Sequence, residues 1–256
     1  MQLNLNADLG ESFGAWSMGD DHGLLGIVNT ANVACGFHAG DPLVMSRTID
    51  EARHQGVSIG AHPGFADLQG FGRRQMTVAP DELHAMMHYQ LAALDGMARA
   101  REHAMTHVKP HGALNNMACE DKNLAIALAS AIADYRPDLI LLAPVLSELS
   151  AAGNAAGLTV ALEVFADRAY TTTGALVPRN KPGALLETSE ACIGHVQAMI
   201  AKGGIVTQCG SILETPFHSV CVHGDSAHAV TTAQALRIAL LAAGHELLPL
   251  PVLLQT

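Results

Sequence analysis

Two hydrophobic rhythms alternate along this chain. Short apolar runs of four to seven residues are followed by longer stretches in which apolar residues recur at three- and four-residue spacing. The first rhythm predicts strands and the second predicts helices. Strands are predicted over Leu3–Asp8, Ala31–Cys35, Val57–Ala61, His107–Pro110, Leu139–Ala143, Thr159–Phe165 and Ser219–His223. Between them, helices are predicted near Asp20–Val28, from Pro42 to just before Gly56, from Pro80 to about Arg101, over Asn123–Tyr135, in a short piece ending near Gly153–Gly157, over Ser189–Lys202 and over about Ala227–Ala243. Asp41-Pro42 supplies a capping side chain followed by proline at the first helical position. Strand, loop and helix in repeated alternation is the pattern of a parallel sheet with crossover helices. Seven strands predict a distorted or incomplete (β/α)7 TIM-like barrel rather than a regular eight-fold one, as a single domain over residues 1–256. The piece between Lys202 and Ser219 is open to two readings: Ile205–Gln208 is a short strand in a separate hairpin or an extra edge.

Titratable residues stand where the apolar runs stop. The first run ends on Asp8, the second leads to His38 and Asp41, and the third to His62. The fourth carries Lys109 and His111, the sixth Glu163, Asp167 and Arg168, and the seventh His223 and Asp225. If the strands are parallel, their carboxyl ends share one rim, and in strand–helix barrels that rim holds the active site. Reactive groups on loops above a rigid apolar scaffold are a functional signal.

Composition narrows the partners. With 49% hydrophobic and 15% charged residues the chain reads as globular rather than disordered. A formal net charge of -10 disfavours nucleic acid and anionic membranes. The five cysteines form no C-x-x-C pair and read as reduced thiols used as small apolar residues. No apolar run reaches the roughly 18 residues that span a bilayer, and the amino terminus enters a strand without a basic leader. The expectation is a cytoplasmic protein.

Several clusters have chemical content. ACGFHAGD joins His38 and Asp41 to glycines that permit close backbone approach. GFADLQGFGRR places Arg73 and Arg74 beside glycines, which suits bidentate capture of a carboxylate or phosphate. Lys109 within an apolar strand needs a partner: Glu163, Asp167 or a bound anion. A desolvated Glu163 would have a raised pKa and act as acid or base. CVHGD offers His223 with Asp225 to orient it. Asp8, His38, His62, His111 and His223 are also enough ligands for zinc or a similar divalent ion, although no local spacing of a metal motif is present. No Walker A sequence or G-x-G-x-x-G loop follows a strand.

NADLGESFG, TANVACGFHAGDP, GAHPGFADLQGFGRR, VKPHGAL, EVFADRAY, LVPR and CVHGD occur in this order between Asn4 and Asp225. In this the chain resembles the LamB/YcsF family, known as the A subunit of 5-oxoprolinase. One departure falls after HGAL, where the family usually has Tyr and this chain has Asn115. The resemblance implies a barrel of the glycoside hydrolase/deacetylase type. It also implies ATP-dependent opening of 5-oxo-L-proline to L-glutamate with ADP and phosphate, shared with partner subunits B and C. ATP would be bound by this chain or by a partner. Under that implication Asp8, or one of His38, His62 and His223, is the base that activates water. Lys109 with Arg73 or Arg74 holds phosphate oxygens or the substrate carboxylate, with Asp41, Asp167, Arg168 and Asp225 in binding positions. Glu163 or His111 protonates the ring nitrogen. Two other readings are a stand-alone metal-dependent deacetylase or amidohydrolase, and a non-catalytic subunit that captures a lactam.

Overall fold

The computed structural model describes residues 1–223 and 228–255. In chain order the elements are β1 (Gln2–Leu9), α1 (Asp21–Leu25), β2 (Thr30–Ala34), α2 (Pro42–Gln55), β3 (Ser58–His62), α3 (Pro80–Arg99), β4 (Met105–Val108), α4 (Gly112–Glu120), α5 (Lys122–Tyr135), β5 (Ile140–Pro144), α6 (Glu148–Ala155), β6 (Thr159–Phe165), α7 (Ser189–Lys202), β7 (Gly204–Val206), β8 (Ile212–Glu214), β9 (Ser219–Val222), α8 (Ala229–Ala242), β10 (Glu246–Leu247) and α9 (Leu250–Leu253). The seven predicted strands pair in parallel as β1-β2-β3-β4-β5-β6-β9, and β9 returns to β1 with Asn4 opposite Ser219, so the barrel closes. The short β10 lies parallel to the start of β1.

Alternation on β1 shows how the sequence builds this wall. Leu3, Leu5, Ala7 and Leu9 belong to the main apolar core, while Asn4, Asn6 and Asp8 bond across the barrel interior, as the two-residue period of a strand requires. Near the amino-terminal floor the inward side chains of Asn4, Thr30 and Ser219 are neutral and bond one another. Asn4 Nδ2 donates to Thr30 Oγ1 at 2.8 Å, and Ser219 Oγ donates to Asn4 Oδ1 at 2.7 Å. Beside them Ile140, Leu142, Ala161 and Leu250 form a small apolar cluster, so α9 plugs the floor.

The helix signals hold in detail. Asp41 caps α2 by accepting from the Leu43 and Val44 amides, and Gly56 ends it in the left-handed conformation. Of the two readings of the segment after Lys202, the hairpin is the observed one, with β7 and β8 antiparallel. Sequence reading missed α4, whose GALNNMACE run opens on glycine and carries two asparagines, both weak helix formers. It also missed β10 and α9, which are too short for a periodic pattern to register.

Candidate active site

A cavity of about 930 Å³ opens at the carboxyl ends of the strands. Asp8, His62, Lys109, His111, Arg168 and His223 form its inner wall. Five stretches of chain thus deliver these six residues to one place, as the shared rim required.

Lys109 is the centre of the charge network. Its side chain is 4% exposed, and Nζ lies 2.9 Å from Asp8 Oδ1, 3.2 Å from Glu163 Oε1 and 3.1 Å from Cys221 Sγ. Burial alone would lower the ammonium pKa, but Asp8, Cys221 and Glu163 hold it well above the usual lysine range. Burial would likewise raise Asp8, yet His62 and Lys109 hold its carboxyl well below the carboxylate range. Asn32 Nδ2 donates to the same Asp8 Oδ1 at 2.8 Å and to Asn6 Oδ1 at 2.7 Å. Glu163 has no exposed surface and stands behind Lys109; burial pushes its pKa up despite that ammonium. Of the partners foreseen for Lys109, Glu163 is present, and Asp8 joins it.

Above this network lie three imidazoles. The Nδ1–H of His62 donates to the Lys109 carbonyl at 2.7 Å, and the Nε2–H of His111 donates to the Phe71 carbonyl at 2.8 Å. The remaining ring nitrogens, His62 Nε2 and His111 Nδ1, face each other at 2.9 Å. His38 stacks on His111 with ring centroids 3.7 Å apart. It is 1% exposed, and neither of its ring nitrogens has a hydrogen-bond partner among the described residues. Burial and the adjacent imidazoles depress the pKa of both His38 and His111 well below the ordinary value. Gly72, at φ +61, fits against this stack: a Cβ there would lie 2.7 Å from His38 Cβ and 2.8 Å from His111 Cδ2. Glu11, His38, His62 and His111 each offer one ligand atom, all within 4.8 Å of one another, so the cluster could hold a metal ion.

On the opposite wall, His223 Nδ1 lies 2.8 Å from both Asp167 oxygens. The carboxylate that orients His223 is therefore Asp167; Asp225, expected in that role, lies outside the described residues. Arg168 Nη2 donates to the Val177 carbonyl at 2.7 Å. Its Nε–H has no partner among the described residues, and burial pushes its pKa down to about 10. Arg73 and Arg179 line the same cavity.

Two residues expected at the substrate stand elsewhere. Both Asp41 oxygens are engaged by backbone amides, Oδ1 by Leu43 and Val44 and Oδ2 by Gly14, so it fastens a helix start to the first loop. Arg74 binds Asp67 and is absent from the cavity wall. The reason is local: Gly70 closes a turn that aims Asp67 at Arg74, leaving only Arg73 facing inward. Sequence reading passed over Glu11, Arg179 and His107. His107 fills the barrel interior, bonded to Asn32 Oδ1 at 3.0 Å, and a Cβ at Gly60 would fall 2.3 Å from its ring. Asn115, the departure from the usual Tyr, does line the cavity.

A closed seven-stranded parallel barrel with its buried acid–base cluster at the carboxyl rim defines a TIM-like barrel with an enzyme-type site. The chain belongs to the LamB/YcsF family, whose profile matches residues 3–255. It is 56% identical over 251 residues to the A subunit of 5-oxoprolinase from Azoarcus sp. (strain BH72), covering 98% of each chain. Among solved structures it is similar to the lactam utilization protein of Thermus thermophilus, with a TM-score of 0.91 and 39% identity over 97% of this chain and 99% of that one. The catalytic domain of a peptidoglycan N-acetylglucosamine deacetylase from Eubacterium rectale shares the fold alone, at a TM-score of 0.50 and 13% identity over 97% and 87%.

Proposed function

We propose that this chain hydrolyses 5-oxo-L-proline to L-glutamate, with cleavage of ATP to ADP and phosphate, as the A subunit of an enzyme completed by subunits B and C. The supporting observation is the ionised Asp8–Lys109 pair at the wall of a cavity large enough for a lactam and part of a second reactant. The substrate and the multi-subunit setting rest on the kinship with proteins named as the A subunit of 5-oxoprolinase.

A five-membered lactam is a stable amide with a poorly electrophilic carbonyl. Phosphorylation of its oxygen releases ADP and, with loss of the lactam N–H proton to solvent, gives an imidate ester of phosphate. Water adds to that carbon, the C–N bond breaks with a proton delivered to nitrogen, and a second water releases phosphate from the acyl phosphate. Asp8, held ionised in the cavity wall, accepts a hydrogen bond from the attacking water and aims it at that carbon. Lys109, held charged, stabilises negative charge on the oxygens as it develops. His223, oriented by Asp167, delivers the proton to the ring nitrogen. Glu163 is a positioning residue for Lys109 rather than the proton donor, because it lies behind that side chain. Arg73, Arg168 and Arg179 hold the substrate carboxylate or phosphate oxygens.

Incubating the chain with subunits B and C, 5-oxoproline and ATP should release glutamate and ADP in equal amounts, and the chain alone should release neither. Lactam opening by the chain alone without ATP would replace this reading with a stand-alone amidohydrolase. Lactam binding with undiminished turnover in Asp8 and Lys109 variants would reduce the chain to a capture subunit.

A further inference from the structure

We infer that Asn32 and His107 are positioning residues that set the angle of the Asp8 carboxylate, engaging one of its oxygens and leaving the other to aim the attacking water. This deepens the hydrolase reading and rests on it for the step that Asp8 serves.

The four residues concerned form one layer of the barrel interior. Asp8 on β1, Asn32 on β2, Gly60 on β3 and His107 on β4 are successive register partners. The layer is a carboxylate, an amide, a gap and an imidazole. The gap is required, because a Cβ at Gly60 would lie 2.3 Å from the His107 ring. Through it the ring reaches past β3 to Asn32 Oδ1 at 3.0 Å. A bulge aims the ring: Ile59 pairs with Met105 and Gly60 with His107, so Thr106 is an extra residue on β4. Bulges beside active sites re-aim side chains in this way.

One set of proton positions satisfies this layer. Asp8 is ionised against the Lys109 ammonium, 2.9 Å from its Oδ1, and a carboxylate only accepts. Asn32 must therefore turn its NH2 group to Asp8 Oδ1, at 2.8 Å, with its second proton on Asn6 Oδ1 at 2.7 Å. Its oxygen then faces His107, whose Nε2 must carry a proton. Nδ1 of the neutral ring is left a lone pair. The Thr106 hydroxyl, 2.9 Å from Nδ1 and 3.1 Å from the Ile59 carbonyl, gives its proton to the ring. Donors thus run in one direction, from Thr106 to His107 to Asn32 to Asp8. Lys109 and Asn32 both hold Oδ1, so Oδ2, 3.4 Å from His62 Nε2, is the oxygen left for water.

Asn32 and His107 touch no reactant. Both are fully buried, and of the layer only Asp8 lines the cavity. Their effect on the reaction passes through the angle of the Asp8 carboxylate. A water held on Oδ2 moves with that angle, and a misplacement of about 1 Å costs on the order of 100-fold in rate.

The test measures kcat and KM of variants with subunits B and C, ATP and 5-oxoproline, and Tm alongside. His107→Leu fills the seat without a donor and lets the Asn32 amide turn its oxygen toward Asp8. Its kcat should fall about 10–100-fold with KM for 5-oxoproline within about twofold, because the water and not the lactam loses its guide. His107→Gln returns an N–H near the place of Nε2 and should restore kcat to within about fivefold of wild type. Ser219→Ala, at the floor, is the control for lost stability. A folded His107→Leu whose kcat matches that of Ser219→Ala overturns the inference, as does a folded His107→Gln with no recovery over His107→Leu. If circular dichroism shows that His107→Leu does not fold, Thr106→Val at its half-buried position carries the comparison: kcat should fall about threefold or more, and an unchanged kcat overturns the inference. Nitrogen-15 NMR of the histidine rings in the chain alone gives a readout apart from activity. His107 should be the neutral Nε2–H tautomer near neutral pH. The Nδ1–H tautomer alongside lactam turnover sinks this inference and keeps the hydrolase reading. The expected tautomer without lactam turnover by the wild-type complex sinks the hydrolase reading, and the positioning role with it.

Discussion

The floor and the mouth of the barrel are built by the same strands and the same alternation, and they differ in what their inward side chains leave undone. At the floor Asn4, Thr30 and Ser219 satisfy one another, and Leu250 seals the end. At the mouth, four residues further along β1, Asp8 meets a buried ammonium, and around it His38, Arg168 and Glu163 retain buried polar atoms without partners among the described residues. Buried polar atoms are nearly always bonded in folded proteins. A cluster of exceptions beside a cavity therefore marks where a ligand completes the structure. Inward polarity alone does not mark a site, since the floor is polar too; incompleteness does.

The sharpest way to separate the two ends is Lys109→Met. It leaves Asp8 and Glu163 as buried carboxylates without their cation, at a stability cost of about 3–5 kcal/mol, and turnover should fall roughly 10³-fold. Urea unfolding and glutamate release by the chain with subunits B and C measure both. Turnover near wild type would erase the distinction between mouth and floor.

A more gradual effect, spread over several pH units, follows from His107, midway between the ends. Burial, reinforced by Lys109 and His62, pushes its imidazole down to about 3. Between pH 6.5 and 3 the unfolded chain therefore binds a proton that the folded chain does not. Stability contributed by neutral His107 is full above pH 6.5 and is lost as pH falls toward 3, at up to about 1.4 kcal/mol per pH unit. The urea midpoint of the wild type should drop more steeply from about pH 7 to about pH 4 than that of His107→Gln. Parallel curves would show that this ring is not held neutral.

At the floor, Ser219→Ala removes the donor to Asn4 and the acceptor from Asn6. It should cost about 1–3 kcal/mol and leave turnover within roughly twofold, as read by thermal melting and the same assay. A large loss of turnover would show that the floor and the mouth are coupled.

What was legible in the sequence follows this division. Strand ends carrying Asp8, His62, Lys109 and His223 could be placed because apolar runs give the strands and parallel pairing gives the shared rim. Asp41 and Arg74 misled because capping an α-helix and closing a loop use the same residue types as binding an anion. Glu11 escaped because its position depends on Gly10, which turns the chain at φ +70 just past β1. His107 escaped because an inward histidine on a short strand looks like core until its partners, Asn32 and the space left by Gly60, are known. That Asp167 orients His223 depends on where β6 and β9 lie side by side, which no local spacing records.

Asp8→Asn tests the central claim most directly. The substitution keeps the shape and the hydrogen bond from Asn32 while removing the charge that faces Lys109 and the cavity. With subunits B and C, ATP and 5-oxoproline, glutamate release should fall by about 10²–10⁴-fold, while the chain still folds as a cooperative unit. Glutamate release within a few-fold of wild type would contradict the assignment of the reaction to this mouth.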